Sequence, residues 1–181
     1  MFSFLYPSRE TNPGVAAIAS CEYRRLAEVN ENELFALAKA RQPASQNFDL
    51  KTYDIDIGKN QIHTVEVTDN SSVNSKAKAP LVIMHGYGNG VGYLFRNILP
   101  IAAQLPGRRV LGIDMLGFGL SSRPAFEFEP APRIAAGADI EGDGNGNVHG
   151  AEDFFVNSLE KWREQQKIEK MVRRFICCRY Q

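Results

Sequence analysis

A chain of 181 residues that is 44% hydrophobic and 23% charged has enough apolar material for one globular core, which excludes disorder as the default. Its 21 Lys and Arg balance 21 Asp and Glu, so no overall field recruits nucleic acid or an anionic membrane, and no nucleic-acid-binding module signature is present. Cys21, Cys177 and Cys178 form an odd set without metal-ligand spacing, which points to a reducing, intracellular compartment and against a disulfide framework or a metal site.

Residues 1–14 read as an irregular lead-in broken by Pro7 and Pro13, without the basic n-region or apolar length of a signal peptide. Phe2, Phe4, Leu5 and Tyr6 are expected to pack on their own domain rather than on a lipid surface. No apolar stretch is long enough to span a bilayer. From about Ala16 to Lys39, Leu26, Val29, Leu34 and Leu37 predict an apolar helical face, with Arg24, Arg25, Glu28, Glu31 and Lys39 mostly off it. Phe48–Ile57 and Ile62–Thr68 alternate around Gly58-Lys59-Asn60 and predict a β-hairpin, in which His63 is a side chain on a half-buried sheet. Residues 69–78 read as a polar loop, and the glycosylation spacing at Asn70-Ser71-Ser72 is absorbed in it.

The unbroken apolar run Leu81–Met84 suits a strand covered by helices on both faces. It stops at His85-Gly86-Tyr87-Gly88-Asn89-Gly90. Tyr93, Leu94, Ile98, Ile101, Ala102 and Leu105 continue at helical spacing until Pro106-Gly107, and Val110–Ile113 is the next strand. This strand-helix-strand unit belongs to a parallel sheet, whose functional loops lie at the carboxyl ends of its strands. Residues 124–150 read as a surface excursion rich in Pro and Gly. A helix is predicted from Ala151 through Phe154, Phe155, Leu159 and Trp162, with Glu152 and Asp153 in its first turn. Ile168–Val172 begins another strand, and the pattern breaks at Arg173-Arg174.

Taken together, PLVIMHGYGNG at 80–90, RRVLGIDMLGFGLSSRP at 108–124 and AEDFFVNSLEKWREQQKIEKMV at 151–172 resemble the α/β-hydrolase superfamily. Within it they resemble the lipid-acting branch that includes a lipid-droplet triglyceride-lipase co-activator, an N-acyl-phospholipid hydrolase and fungal cardiolipin deacylase. The resemblance implies an α/β fold: the N-terminal part of an α/β-hydrolase, a mostly parallel sheet flanked by helices and lacking the later strands. The corresponding division is 1–47 helical lead-in, 48–172 partial hydrolase domain and 173–181 divergent tail.

The loop His85, Gly86, Tyr87, Gly88 follows the third strand, where glycine lets a backbone N–H approach a developing oxyanion; Tyr87 N–H, with Gly88 beside it, is the candidate donor. By the same resemblance, Asp114, Gly117, Gly119 and Ser121 shape the rim of the site, in a structural role more than a catalytic one. The family's nucleophile elbow, G-x-S-x-G, should follow the strand that starts at Ile168, with the acid and histidine later. None is present. Gly119-Leu120-Ser121-Ser122 lacks the final glycine and follows the wrong strand, so Ser121 is not the nucleophile. His149 precedes the nucleophile position, against the family order, and His85 belongs to the loop rather than acting as general base.

The expectation is therefore a reading frame that diverges after Val172 through splicing, a retained intron or a gene-model error. In the family strand order 1-2-4-3-5-6-7-8 the fifth strand is then left with an exposed apolar edge. Three further patterns are set aside. Asp139-Ile140-Glu141-Gly142-Asp143-Gly144 opens like a calcium loop but has glycine at position twelve and no preceding helix. The glycines at 86, 88, 90 and 92 do not form G-x-G-x-x-G, and Cys178-Arg179-Tyr180-Gln181 is a poor prenylation box.

No cofactor is expected. One function reading is part of a serine lipid hydrolase or acyltransferase, inactive as this chain alone. The other is a catalytically silent module binding a lipid substrate, a lipid surface or a lipase, with cytoplasmic, lipid-droplet or mitochondrial-membrane association.

Overall fold

The computed structural model describes residues 13–70, 78–124 and 146–176, with side chains from 22 in the first helix, from 150 in the last, and the backbone alone at 175. The elements are α1 (Pro13–Ala40), β1 (Phe48–Asp56), β2 (Gln61–Asp69), β3 (Leu81–His85), α2 (Ile98–Ala103), β4 (Val110–Ile113), α3 (Gly146–Gln165) and β5 (Val172–Ile176). The strands form one sheet in the order β1-β2-β4-β3-β5. It is mixed: β4, β3 and β5 run parallel, while the hairpin joins β4 antiparallel through β2. The hairpin turns where Gly58-Lys59-Asn60 places it, closed by Ile57 N–H donating to the Asn60 carbonyl at 2.8 Å.

Strand alternation divides the core between two faces. Ile83 and Val110 point to one side, with Val65, Val67, Leu94, Ile98, Leu99 and Phe35. Val82, Met84, Leu111 and Ile113 point to the other, under Trp162 and Ile168. This double burial is why both runs are apolar without alternation. Trp162 is fully buried, and its Nε1–H donates to Thr64 Oγ1 at 3.0 Å, which anchors α3 on β2.

Several elements differ from the sequence pattern. In α1, Leu26, Val29 and Leu37 are about half exposed, and the buried face is instead Glu31, Phe35 and Ala38. Their spacing of four and three is equally helical, and a buried His63 gives Glu31 a partner worth the desolvation. The predicted helix after the glycine loop is split into a 3-10 segment, Val91–Arg96, and α2, with Tyr93 exposed. Pro100 has no N–H to bond back into the preceding turn, so it sits in the first turn of a new helix. Because α3 begins at Gly146, Glu152 and Asp153 lie beyond its first turn, and 146–150 are helical rather than part of the excursion.

β5 is displaced from the expected Ile168–Val172 to Val172–Ile176, so the strand runs through Arg173-Arg174 past the boundary read at 172. Residues 166–171 are used to end α3 and turn: Ile168 N–H donates to the Arg163 carbonyl, Lys167 adopts φ 54°, and Ile168 is buried. Among the described residues β5 has a neighbour on one side only, and its exposed side chains are Val172, Arg173 and Arg174. No helix among the described residues is long and apolar enough to cross a membrane. The segment 1–12, Ser71 and Ser72 of the glycosylation pattern, the calcium-like opening at 139–144, Cys177 and Cys178 and the side chain of His149 lie outside the described residues.

Candidate functional site

The loops after β3 and β4 meet at the carboxyl ends of their strands, and Asp114 joins them. Its carboxylate, 1% exposed, accepts the Val91 N–H at 2.5 Å and the Leu120 N–H at 2.6 Å. One side chain thereby closes both the end of the glycine loop and the turn that follows β4. Burial raises the Asp114 pKa above the ordinary carboxyl value, opposed by these two N–H groups and by His63. The backbone completes the arrangement: Asp114 N–H donates to the His63 carbonyl at 3.0 Å, and Ser121 Oγ–H donates to the Asp114 carbonyl at 2.8 Å. Ser121 Oγ in turn accepts the His63 N–H at 2.9 Å, leaving this buried serine fully engaged in the fold. Gly119 has φ 49°, and a Cβ there would lie 2.0 Å from Asp114 Oδ2, so only glycine lets the turn wrap the carboxylate.

His85 is buried beneath the first loop. Its Nε2 accepts the Met115 N–H at 3.1 Å, which assigns the proton to Nδ1, 2.8 Å from the Gly86 carbonyl oxygen. Above it, Tyr87 is 94% exposed. The N–H groups of Tyr87 and Gly88 have no partner among the described residues, and Gly88 reaches φ 75°. Rings of His85 and Tyr87 meet Phe118 edge-on at 5.6 and 5.8 Å between centroids, and Phe118 continues to Phe155 at 6.3 Å. The structure thus brings His85–Gly88, Asp114 and the 117–121 turn into one cluster floored by aromatic rings.

Sequence reasoning missed what holds this cluster from behind. His63 is buried between two carboxylates, with Nε2 2.7 Å from Glu31 Oε1 and Nδ1 2.9 Å from Asp54 Oδ1. Burial alone would lower its pKa, but Glu31 foremost, then Asp54 and Asp114, push it up to about 9. Arg24 bonds Asp54 at 2.5 Å and donates to the Leu120 carbonyl at 2.7 Å, so α1 is tied to the same turn that wraps Asp114. A signal existed: the tight hairpin turn places Asp54 opposite His63. Glu31, however, comes from 32 residues away in the chain.

Residues 79–175, just over half of the chain, match the family described as alpha/beta hydrolase fold. This chain belongs to the α/β-hydrolase fold family. Among curated relatives, the human (Lyso)-N-acylphosphatidylethanolamine lipase is 38% identical over 113 residues, which are 62% of this chain and 26% of that protein. The rat 1-acylglycerol-3-phosphate O-acyltransferase ABHD5 is 35% identical over 101 residues, 56% of this chain and 23% of that one. The chain thus spans about a quarter of the length of these two relatives. Among solved structures, it is similar to 2-hydroxy-6-oxo-6-phenylhexa-2,4-dienoate hydrolase from Rhodococcus sp. strain RHA1, with 20% identity and a TM-score of 0.45 over 72% of this chain and 38% of that one.

Proposed function

We propose that this chain carries the oxyanion side of a serine lipid hydrolase or acyltransferase that works through an acyl-enzyme at a carboxylic ester, and that on its own it is inactive. In this reading the Tyr87 N–H, with Gly88 beside it, faces the developing oxyanion, and Asp114, Gly117, Gly119 and Ser121 fix the loop's position. The observation that carries it is the pair of unpartnered N–H groups at Tyr87 and Gly88, at the carboxyl end of β3 and braced by the Asp114 contacts to Val91 and Leu120. The names of the lipase and acyltransferase relatives supply the lipid ester as substrate class. The proposed inactivity is supported by the absence of a G-x-S-x-G elbow from the 181 residues.

A serine-directed fluorophosphonate probe tests the reading. Purified 1–181 should remain unlabelled, and labelling at any serine would overturn it. Translating the transcript past the Val172 codon in three frames should reveal the elbow; its absence there would favour a second reading.

That second reading is a catalytically silent module that engages a lipid surface or a lipase in the cell. It draws support from the exposed Tyr87 and Tyr93 beside the loop and the exposed Tyr23, Leu26, Val29 and Leu37 along α1. Flotation with phosphatidylcholine vesicles tests the lipid-surface form of this second reading: a chain that floats with the vesicles supports it, and one that stays at the bottom of the gradient counts against it.

A further inference from the structure

A cavity of about 260 Å³ opens between the β1–β2 turn, the turn after β4 and the outer ridge of α3. Its floor is apolar: Ile57 and Leu116 are buried, and Phe154 stands edge-on to Phe155 with centroids 5.2 Å apart. Its rim is polar and comes from successive turns of α3, Asp153, Asn157 and Lys161. None of these three side chains makes a hydrogen bond or ion pair among the described residues.

The spacing explains why the two charges do not neutralise each other. Eight residues separate Asp153 from Lys161, a rise of about 12 Å along the helix. Helical ion pairs form at three or four residues, so Asn157 lies between two charges that stay apart. The cavity therefore presents a carboxylate at one end, an ammonium at the other, an amide between them and an apolar base. All three rim side chains are exposed to water, so a ligand with one charge gains one rim contact and a ligand with both charges gains two.

We propose that this cavity binds a small zwitterion, an ammonium and an oxyanion joined by a short apolar linker. The ligand's ammonium lies against Asp153 and beside the Phe154 ring, its oxyanion against Lys161, and its linker on Ile57 and Leu116. None of the charged residues belongs to the loops assigned to ester chemistry, so the proposal stands or falls independently of that reading.

The test is calorimetric titration of the whole 181-residue chain with two zwitterions, ω-aminohexanoate and glycerophosphoethanolamine. Each is compared with its singly charged counterparts, hexanoate and hexylamine for the first, glycerophosphate and ethanolamine for the second. At least one zwitterion should bind about tenfold more tightly than either counterpart, and which one does so identifies the oxyanion as carboxylate or phosphate. Asp153→Asn and Lys161→Gln should each weaken that binding by about three- to tenfold, and the exchange Asp153→Lys with Lys161→Asp should restore it with the ligand reversed. Equal binding of zwitterions and singly charged ligands, or binding indifferent to both single substitutions, overturns the proposal. So does the absence of saturable binding in a chain whose unfolding remains cooperative.

Discussion

Replacing Glu31 with Gln removes the buried negative charge that faces His63 while keeping the size of the side chain. Raising an imidazole from 6.5 to about 9 corresponds to about 3 kcal/mol of net preference for the charged ring, the excess of the attractions from Glu31, Asp54 and Asp114 over the cost of burial. Glu31 is 7% exposed and lies 2.7 Å from the ring, whereas the Asp54 side chain is partly in solvent, so Glu31 supplies the larger share. Glu31→Gln should therefore cost about 2 kcal/mol where the ring is charged in both states.

The pH dependence follows from the direction of the shift. Because the folded pKa lies above the unfolded one, the stabilisation is complete below about 6.5, declines as the unfolded chain loses its proton, and is gone above about 9. Urea unfolding of parent and variant across this window should show a difference that is largest at the acid end and shrinks towards the alkaline end. NMR titration of the His63 ring should give a midpoint near 9 in the parent and a lower one in the variant. A difference in stability that is flat across the window, or a parent midpoint near 6.5, would refute the reasoning.

Asp114→Asn replaces one acceptor oxygen with an amide that faces the N–H of Val91 or Leu120; it should cost about 1 to 3 kcal/mol and speed amide exchange at those two positions. Gly119→Ala combines φ 49° with a Cβ 2.0 Å from Asp114 and should destabilise by more than about 2 kcal/mol. Gly88→Ala, with φ 75° but open space around the Cβ, should cost about 1 kcal/mol, and thermal melts of the two variants measure the contrast. Trp162→Phe loses the bond to Thr64 and leaves a void under α3, for about 1 to 3 kcal/mol by urea unfolding.

Much of the fold was legible in local pattern. Leu81–Met84 and Val110–Ile113 are apolar throughout because both faces of the parallel strands are covered, and a run with no polar alternation announces that burial. Gly58-Lys59-Asn60 announced the hairpin by turn chemistry. β5 was harder to place. Its arginines are tolerated at an edge, and the residues read as its start, Ile168–Met171, are used to leave α3 and turn into the sheet.

The loops themselves were visible too. Glycines abruptly ending two apolar strands marked His85–Gly88 and the 117–121 turn from residue types alone. Their joining by Asp114 was not visible, because its partners are backbone N–H groups at Val91 and Leu120, which carry no signature of residue type. The support behind them was even less so. Periodicity favoured Leu26, Val29, Leu34 and Leu37 as the buried face of α1, since hydrophobicity is the local clue to burial. Tertiary packing instead turned in Glu31, Phe35 and Ala38, because a buried imidazole on a strand 32 residues away in the chain makes a charged side chain favourable there. Sequence by itself determined where strands and glycine turns fall, which depends on neighbours along the chain. Only the tertiary structure decided which polar groups meet, since that depends on distant residues brought to hydrogen-bonding range.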